Sequence, residues 1–397
     1  MARSLKVAAA QMGPVHLTSV RADTVSRMMK LLNSASALGA KLVLFPECAF
    51  TTFFPRHLIY SQSELDEYFE HSDQLLTSPN TKPLFDEARK LGIDISVGFA
   101  ERAEDGKGFN TSVYYSAKKG EVIAKYRKVH LPGTKEPFEN PNAVNQLEKR
   151  YFEPGNLGLK AFRTPDTIGD AAKKASGVIE AGKGDPIMGM LICNDRRWPE
   201  AWRCYGLQGV EVVLCGYNTV GYGPDLWGTR KPMTPEEAEK DAVFHHKLVM
   251  QANSYMNSCF SISAAKAGLE DGKYDLIGGS CITSPEGHIL AEAKGKGDEI
   301  VLAEIDLEDC RQGKEKVKTE KLGDWILADI AIRLSILIGI AGSILTASSL
   351  SKQALSSPSY YHKRYGVVDG VFVYGAEVDI EIGPSFQSVE GQSLPML

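Results

Sequence analysis

Short apolar runs alternate with helix-period segments through residues 1–313, and few architectures accept that rhythm. Buried strands are expected at 5–11 (LKVAAAQ), 41–47 (KLVLFPE) and 94–101 (DISVGFAE). Helices are expected at 19–38, where Val25, Met28, Met29, Leu31 and Leu32 recur at helical spacing, and at 82–92. A Lys-Gly turn joins strands 110–116 and 121–126 into a hairpin. The second half repeats the pattern: strands at 187–195, 210–217, 258–265, 276–284 and 299–305, helices at 199–208 and 236–256. With 397 residues, 43% of them hydrophobic, the chain can bury one large core or two ordinary ones. The alternation favours one α/β or α+β domain over 1–313.

Two stretches break the rhythm. Residues 166–185 are small, polar and Gly-rich and read as a surface insertion loop. Residues 326–347 are strongly apolar and lead into a Ser-rich stretch, so 314–359 reads as an atypical insertion and 360–397 as a C-terminal tail. Membrane contact is disfavoured, because Asp329 and Arg333 leave an uncharged run of only 14 residues, Leu334 to Ala347.

Three segments place a reactive side chain at the end of a strand, where α/β proteins build their sites. Pro46 ends one strand and Glu47 follows it. In KYRKVHLPG (125–133), Lys128 and His130 share one face of an extended segment. In LICNDRRWPE (191–200), Cys193 ends an apolar run just before a helix start, a position that lowers a thiol pKa. Each has a plainer reading: a solvated loop carboxylate, a wet basic cluster, a core cysteine. Their joint occurrence, in this order and at these strand ends, is far harder to get by chance than any one of them. Ser263-x-x-Lys266 and Ser349-x-x-Lys352 match a serine amidase pattern, but neither sits at a strand end with a partner serine.

Composition excludes other classes. A net charge of −5, with no basic cluster interleaved with aromatics, leaves no footprint for nucleic acid. Seven cysteines without a C-x-x-C pair, mostly beside apolar neighbours, suit reduced thiols in a cytoplasmic protein, and the N-terminus reads as lacking a signal peptide. No zinc framework or H-E-x-x-H occurs, so neither metal nor cofactor is expected.

The segments FPE, YRKVHL and CNDRRWPE resemble the three signatures of the nitrilase (carbon–nitrogen hydrolase) superfamily. TTFFPR (51–56), LEKRYFEPG (147–155) and GYNT (216–219) add likeness to its N-carbamoyl-D-amino acid amidohydrolase branch. The resemblance implies a four-layer αββα sandwich assembled as a homodimer or homotetramer. It implies Glu47 as general base, Lys128 as oxyanion-stabilising cation, Cys193 as nucleophile and Glu148 as the carboxylate orienting the lysine. It further implies that Arg196 and Arg197, beside Asn194 and Asn218, hold an amino acid's carboxylate, with His130 and His245 in support. Tandem arginines suit that planar bidentate contact, and structural ion pairing is the competing reading. Gln146 stands where the branch has a histidine associated with substrate carboxylate contact, and 220–243 diverges. The implied substrate is a small ureido or amide compound, foremost an N-carbamoyl amino acid. Amidase, nitrilase and β-ureido acid hydrolase activities remain alternatives, as does an inactive scaffold subunit.

Overall fold

Burial along the first strand shows how the layers form. In β1 (Ser4–Gln11), Leu5, Val7 and Ala9 join one hydrophobic cluster while Ala8 and Ala10 join another. Side chains alternate across a strand, so a run apolar on both faces must be covered on both. The structure is a computed structural model and describes residues 3–165, 167–168, 184–224, 233–318, 365–368 and 371–374.

The remaining strands follow as β2 (Leu42–Leu44), β3 (Phe69–His71), β4 (Asp94–Arg102), β5 (Gly108–Ser116), β6 (Glu121–Arg127), β7 (Phe162–Arg163), β8 (Ile187–Ile192) and β9 (Val212–Tyr217). After them come β10 (Phe260–Ala265), β11 (Ala267–Glu270), β12 (Tyr274–Ile277), β13 (Cys281–Thr283), β14 (Ile289–Glu292) and β15 (Glu299–Asp306). One sheet runs β15-β1-β2-β4-β5-β6, with β3 also on β4; the other runs β14-β13-β10-β9-β8-β7. Each has three parallel central strands, β1, β2 and β4 in one and β8, β9 and β10 in the other, extended by antiparallel neighbours.

The two sheets face each other. Leu5, Val7, Leu42 and Leu44 from the first pack in one cluster with Met190, Ile192, Leu214 and Ile262 from the second. The outer face of the first sheet packs under helices Arg21–Ala37 and Lys82–Leu91, through Met28, Leu32, Leu84 and Phe85. The second lies under helices Pro199–Leu207 and Pro235–Asn257, through Trp202, Tyr205 and Met250. The result is an α+β, αββα sandwich.

Local chemistry accounts for the helix ends. Pro235 opens the long helix behind a capping box in which Thr234 and Glu237 satisfy each other's backbone N–H groups. Gly92, at φ +67°, stops the helix Lys82–Leu91 in a left-handed turn.

Several boundaries differ from the sequence reading. The strand expected over 41–47 stops at Leu44, and that over 187–195 stops at Ile192, where Cys193–Arg197 turns into a 3₁₀ helix. The run 276–284 is divided between β12 and β13 because Gly278 and Gly279 take φ of +59° and +77°, which no strand residue adopts. Ser258, at φ +50°, caps the preceding helix, so the strand expected from 258 starts at Phe260. Helix Arg311–Lys318 spans the expected boundary at 313/314.

The chain divides into two compact units, Met1–Gly342 and Ser343–Leu397. Within the second, strands β16 (Tyr365–Val368) and β17 (Val371–Tyr374) pair antiparallel. The apolar segment 326–347 and nearly all of the loop 166–185 lie outside the described residues. Among the described residues no helix is long and apolar enough to cross a membrane, and no cluster of His, Cys, Asp or Glu could hold a metal.

Candidate active site

Glu47 and Cys193 follow the ends of central strands β2 and β8, one in each sheet, so sandwich packing brings their loops together. Glycine permits the approach. A Cβ at Gly98 on β4 would stand 2.7 Å from Glu47 Cα, and one at Gly216 on β9 would stand 2.8 Å from Glu47 N. Both are closer than real Cβ contacts allow, so the backbone of Glu47 runs in a slot lined by missing side chains.

The Glu47, Lys128 and Glu148 side chains are fully buried and form a chain of charge. Lys128 Nζ donates to Glu47 Oε1 at 2.7 Å and to Glu148 Oε2 at 2.6 Å. Asn110 Nδ2 donates to Glu47 Oε1 at 2.8 Å, and Gln146 Nε2 donates to Glu148 Oε1 at 2.7 Å. Glu47 Oε2 has no hydrogen-bond partner among the described residues. Burial opposes the charge on Lys128, but Cys193, Glu148 and Glu47 outweigh it and hold the ammonium well above its usual pKa. Burial raises the Glu148 carboxyl to about 7, helped by the charge of Glu47 and opposed by Lys128.

Cys193 takes φ +48°, a left-handed conformation costly for a residue with a Cβ. Its thiol donates to the carbonyl of Asn218 at 3.4 Å, and Asn218 Nδ2 donates to the carbonyl of Glu47 at 3.0 Å. One asparagine therefore ties the thiol to the carboxylate loop. Burial and then the charge of Glu47 raise the thiol's pKa, so the resting sulfur keeps its proton.

Gln146, Cys193, Asn194, Arg196, Arg197 and Asn218 line a pocket with about 400 Å³ of open space. Lys128, Glu47 and Glu148 lie buried rather than on that lining. Within the pocket wall the two arginines differ. Arg196 is buried, donating from Nη1 to the Cys193 carbonyl at 2.7 Å and from Nη2 to Thr219 Oγ1 at 3.2 Å. Arg197 is exposed.

His130 is half-buried, and its Nδ1 and backbone N–H bond Asp195 Oδ1 at 2.8 and 2.9 Å. His245 is a correction. It is exposed, 3.7 Å from Asp241 on its own helix, and away from the pocket lining. The inward stripe of that helix is His246, Met250, Asn253, Ser254 and Asn257, so helical phase points His246 inward instead. His246 stacks on Tyr217 at 4.4 Å and bonds Ser263 Oγ at 3.3 Å. The Ser263-x-x-Lys266 pair separates accordingly, because Lys266 donates to the carbonyl of Thr51 and lies 3.6 Å from Glu270.

Sequence reasoning missed Asn110, Asp195 and Tyr126. Asp195 is buried, and its Oδ2 accepts from the Tyr126 hydroxyl at 2.8 Å and from the backbone of Ile192 at 3.2 Å. Asn110 is a polar side chain in a strand buried at every position.

Comparison with known proteins places the chain in a family. The chain is 28% identical over 313 residues to a citrullinase of Francisella tularensis, covering 78% of this chain and 91% of that protein. It is 26% identical to an N-carbamoylputrescine amidase of Solanum tuberosum, covering 82% and 92%. A carbon-nitrogen hydrolase of Helicobacter pylori shares the fold with a TM-score of 0.61 at 20% identity, covering 81% of this chain and 96% of that one. So does an amidase of Nesterenkonia sp. AN1, solved with the acetamide moiety of fluoroacetamide added covalently at its active site cysteine (TM-score 0.55, 20% identity, 78% and 92% covered). The sequence profile of the carbon-nitrogen hydrolases matches residues 6–315, and the chain belongs to that family.

Proposed function

We propose that the protein hydrolyses an N-carbamoyl amino acid to the free amino acid, ammonia and carbon dioxide, with Cys193 as nucleophile. The observation that carries this reading is the Cys193 thiol, held in a left-handed turn and linked through Asn218 to Glu47, whose Oε2 is buried without a hydrogen-bond partner among the described residues. A buried carboxylate oxygen without a donor is costly unless a proton is to arrive there.

Glu47 takes the thiol proton as sulfur attacks the carbamoyl carbon. The oxyanion of the tetrahedral intermediate is held by the Lys128 ammonium, which Glu148 orients. Glu47 returns the proton to the departing nitrogen, ammonia leaves, and a thiocarbamate on Cys193 remains. Water then gives a proton to Glu47 and attacks the thiocarbamate carbon. The C–S bond breaks, and the proton returns to sulfur. The released carbamate loses carbon dioxide to yield the amino acid.

Arg197 at the pocket wall supports a carboxylate-bearing substrate, with Asn194 and Asn218 beside it. The N-carbamoylputrescine amidase among the relatives supports a carbamoyl group. Exposed Phe244, Leu248 and Tyr255 on the outer side of helix Pro235–Asn257 support a homodimer or homotetramer.

The test is ammonia release across N-carbamoyl-D- and L-amino acids, β-ureido acids, simple amides and nitriles, with Cys193→Ala as control. Turnover confined to amides or nitriles overturns the substrate assignment. Turnover by Cys193→Ala overturns the nucleophile.

A further inference from the structure

Two arginines follow Cys193, and their surroundings give them different work. Arg196 is fixed from several sides. Its guanidinium bonds the Cys193 carbonyl and Thr219, and Nη1 also lies 3.7 Å from Cys193 Sγ. It stacks 4.5 Å from the centre of the Tyr217 ring, whose position is held by His246 and by a hydroxyl bond to the carbonyl of Gly278. The backbone carbonyl of Arg196 accepts from Trp202 Nε1 at 3.0 Å and Asn253 Nδ2 at 3.4 Å. Turning this guanidinium toward a ligand would break the bond that holds the nucleophile's own carbonyl.

We propose that Arg196 is a catalytic residue acting on the nucleophile itself: it stabilises the Cys193 thiolate and holds the turn that carries it, leaving the substrate carboxylate to Arg197. The proposal rests on the reading of Cys193 as the nucleophile. Charge counting supports it. With both carboxylates ionised, Glu47, Lys128 and Glu148 sum to −1, and when Glu47 takes the thiol proton the sum stays at −1 while one negative charge moves onto the sulfur. A thiolate buried at that position is costly unless a cation lies beside it. Arg196 places a permanent cation 3.7 Å from the sulfur, which also contacts the carbonyl of Asn218 at 3.4 Å. Around Sγ the ionisable groups are Glu47, Lys128 and Glu148 from the first sheet's side, with Arg196, Arg197, Cys215 and Tyr217 from the second. Burial keeps His246, behind Tyr217, neutral, so the stack adds no competing cation.

The test reads the thiol directly and needs no substrate. The rate of iodoacetamide alkylation at Cys193, followed on its peptide by mass spectrometry, is measured against pH for the wild type, Arg196→Met, Arg196→Lys and Arg197→Ala. Arg196→Met is expected to raise the midpoint by about one pH unit, roughly tenfold less thiolate at pH 7. Arg196→Lys is expected to recover most of that shift and Arg197→Ala to move the midpoint less. In turnover, Arg196→Met should lower kcat about tenfold on charged and uncharged substrates alike, with KM little changed. If the Met variant does not fold, Arg196→Gln, which keeps a donor and loses the charge, must show the same rise. An unchanged midpoint, or a loss confined to KM for carboxylate substrates, overturns the proposal. Turnover by Cys193→Ala would sink the nucleophile assignment while leaving the alkylation result to be read by itself.

Discussion

The Lys128 ammonium lies 2.7 Å from Glu47 Oε1, and neither side chain reaches solvent. Breaking a buried pair costs more than the pair itself contributes, because the remaining charge is left without compensation. Lys128 serves two carboxylates, whereas Glu47 serves one lysine that Glu148 also holds. Lys128→Met should therefore destabilise the fold by about 3–5 kcal/mol, and Glu47→Gln by clearly less. Urea unfolding of the two variants decides it; equal losses would mean that Glu148 contributes nothing to holding the lysine. Activity should fall about 10³-fold in Glu47→Gln even where the fold survives, since general-base catalysis commonly supplies that much.

Gly98 and Gly216 lie on strands from different sheets, yet both leave room for the same residue, Glu47. Adding one methyl at either position pushes on backbone, which cannot rotate away as a side chain can. Gly98→Ala or Gly216→Ala is expected to destabilise by about 1–3 kcal/mol, as overpacking does. Turnover should fall further than stability alone explains, because Glu47 is displaced from Lys128. A fully active, fully stable Gly216→Ala protein would refute the slot.

A third prediction concerns acid stability away from the site. Glu101 is buried on β4; burial raises its pKa, but Arg127, Lys125 and Thr111 outweigh that and hold it down to about 2 from an ordinary 4.5. A depressed carboxyl stabilises the fold above its unfolded pKa and loses that contribution as pH falls through the folded value. The shift corresponds to about 3 kcal/mol, reduced to about 2 by the solvent around Lys125. Glu101→Gln should thus cost about 2 kcal/mol at pH 7, and the gap to wild type should close between about pH 4.5 and 2. A gap that persists at pH 2 would locate the effect in packing instead.

The alternation of apolar runs made an α/β or α+β domain legible, while the four-layer sandwich came only through the resemblance carried by the local motifs. Glu47, Lys128, Glu148 and Cys193 were legible as candidates because each lies in a dense local motif. Asn110 and Asp195 were not. Their partners are 63 and 65 residues away, Glu47 and His130, and only strand pairing and sheet packing bring them near. His245 and His246 differ by 100° of helical phase, and adjacent identical residues leave that phase to be fixed by Met250. The break at Gly278-Gly279 was hidden inside a run apolar on both sides, where pattern alone reads one strand.

The last prediction separates Arg197 from its neighbour. Arg197 is exposed at the wall of the pocket that holds Cys193, and its planar fork suits a carboxylate. Arg196, by contrast, is buried against the Cys193 carbonyl. Arg197→Ala should therefore raise KM for N-carbamoyl amino acids and leave kcat nearly unchanged, because a contact remote from the reacting carbon binds ground state and transition state alike. Loss of a charge-assisted hydrogen bond costs about 2–3 kcal/mol, roughly two orders of magnitude in kcat/KM. An uncharged amide of similar size should lose less than about threefold, since it offers the guanidinium nothing to hold. Arg197→Lys keeps the charge and forfeits the fork, so it should fall between the two. Steady-state kinetics on one carboxylate substrate and its carboxamide analogue make the comparison within a single protein. Equal losses on both would assign Arg197 to the structure of the turn and leave the substrate's carboxylate without a partner among these residues.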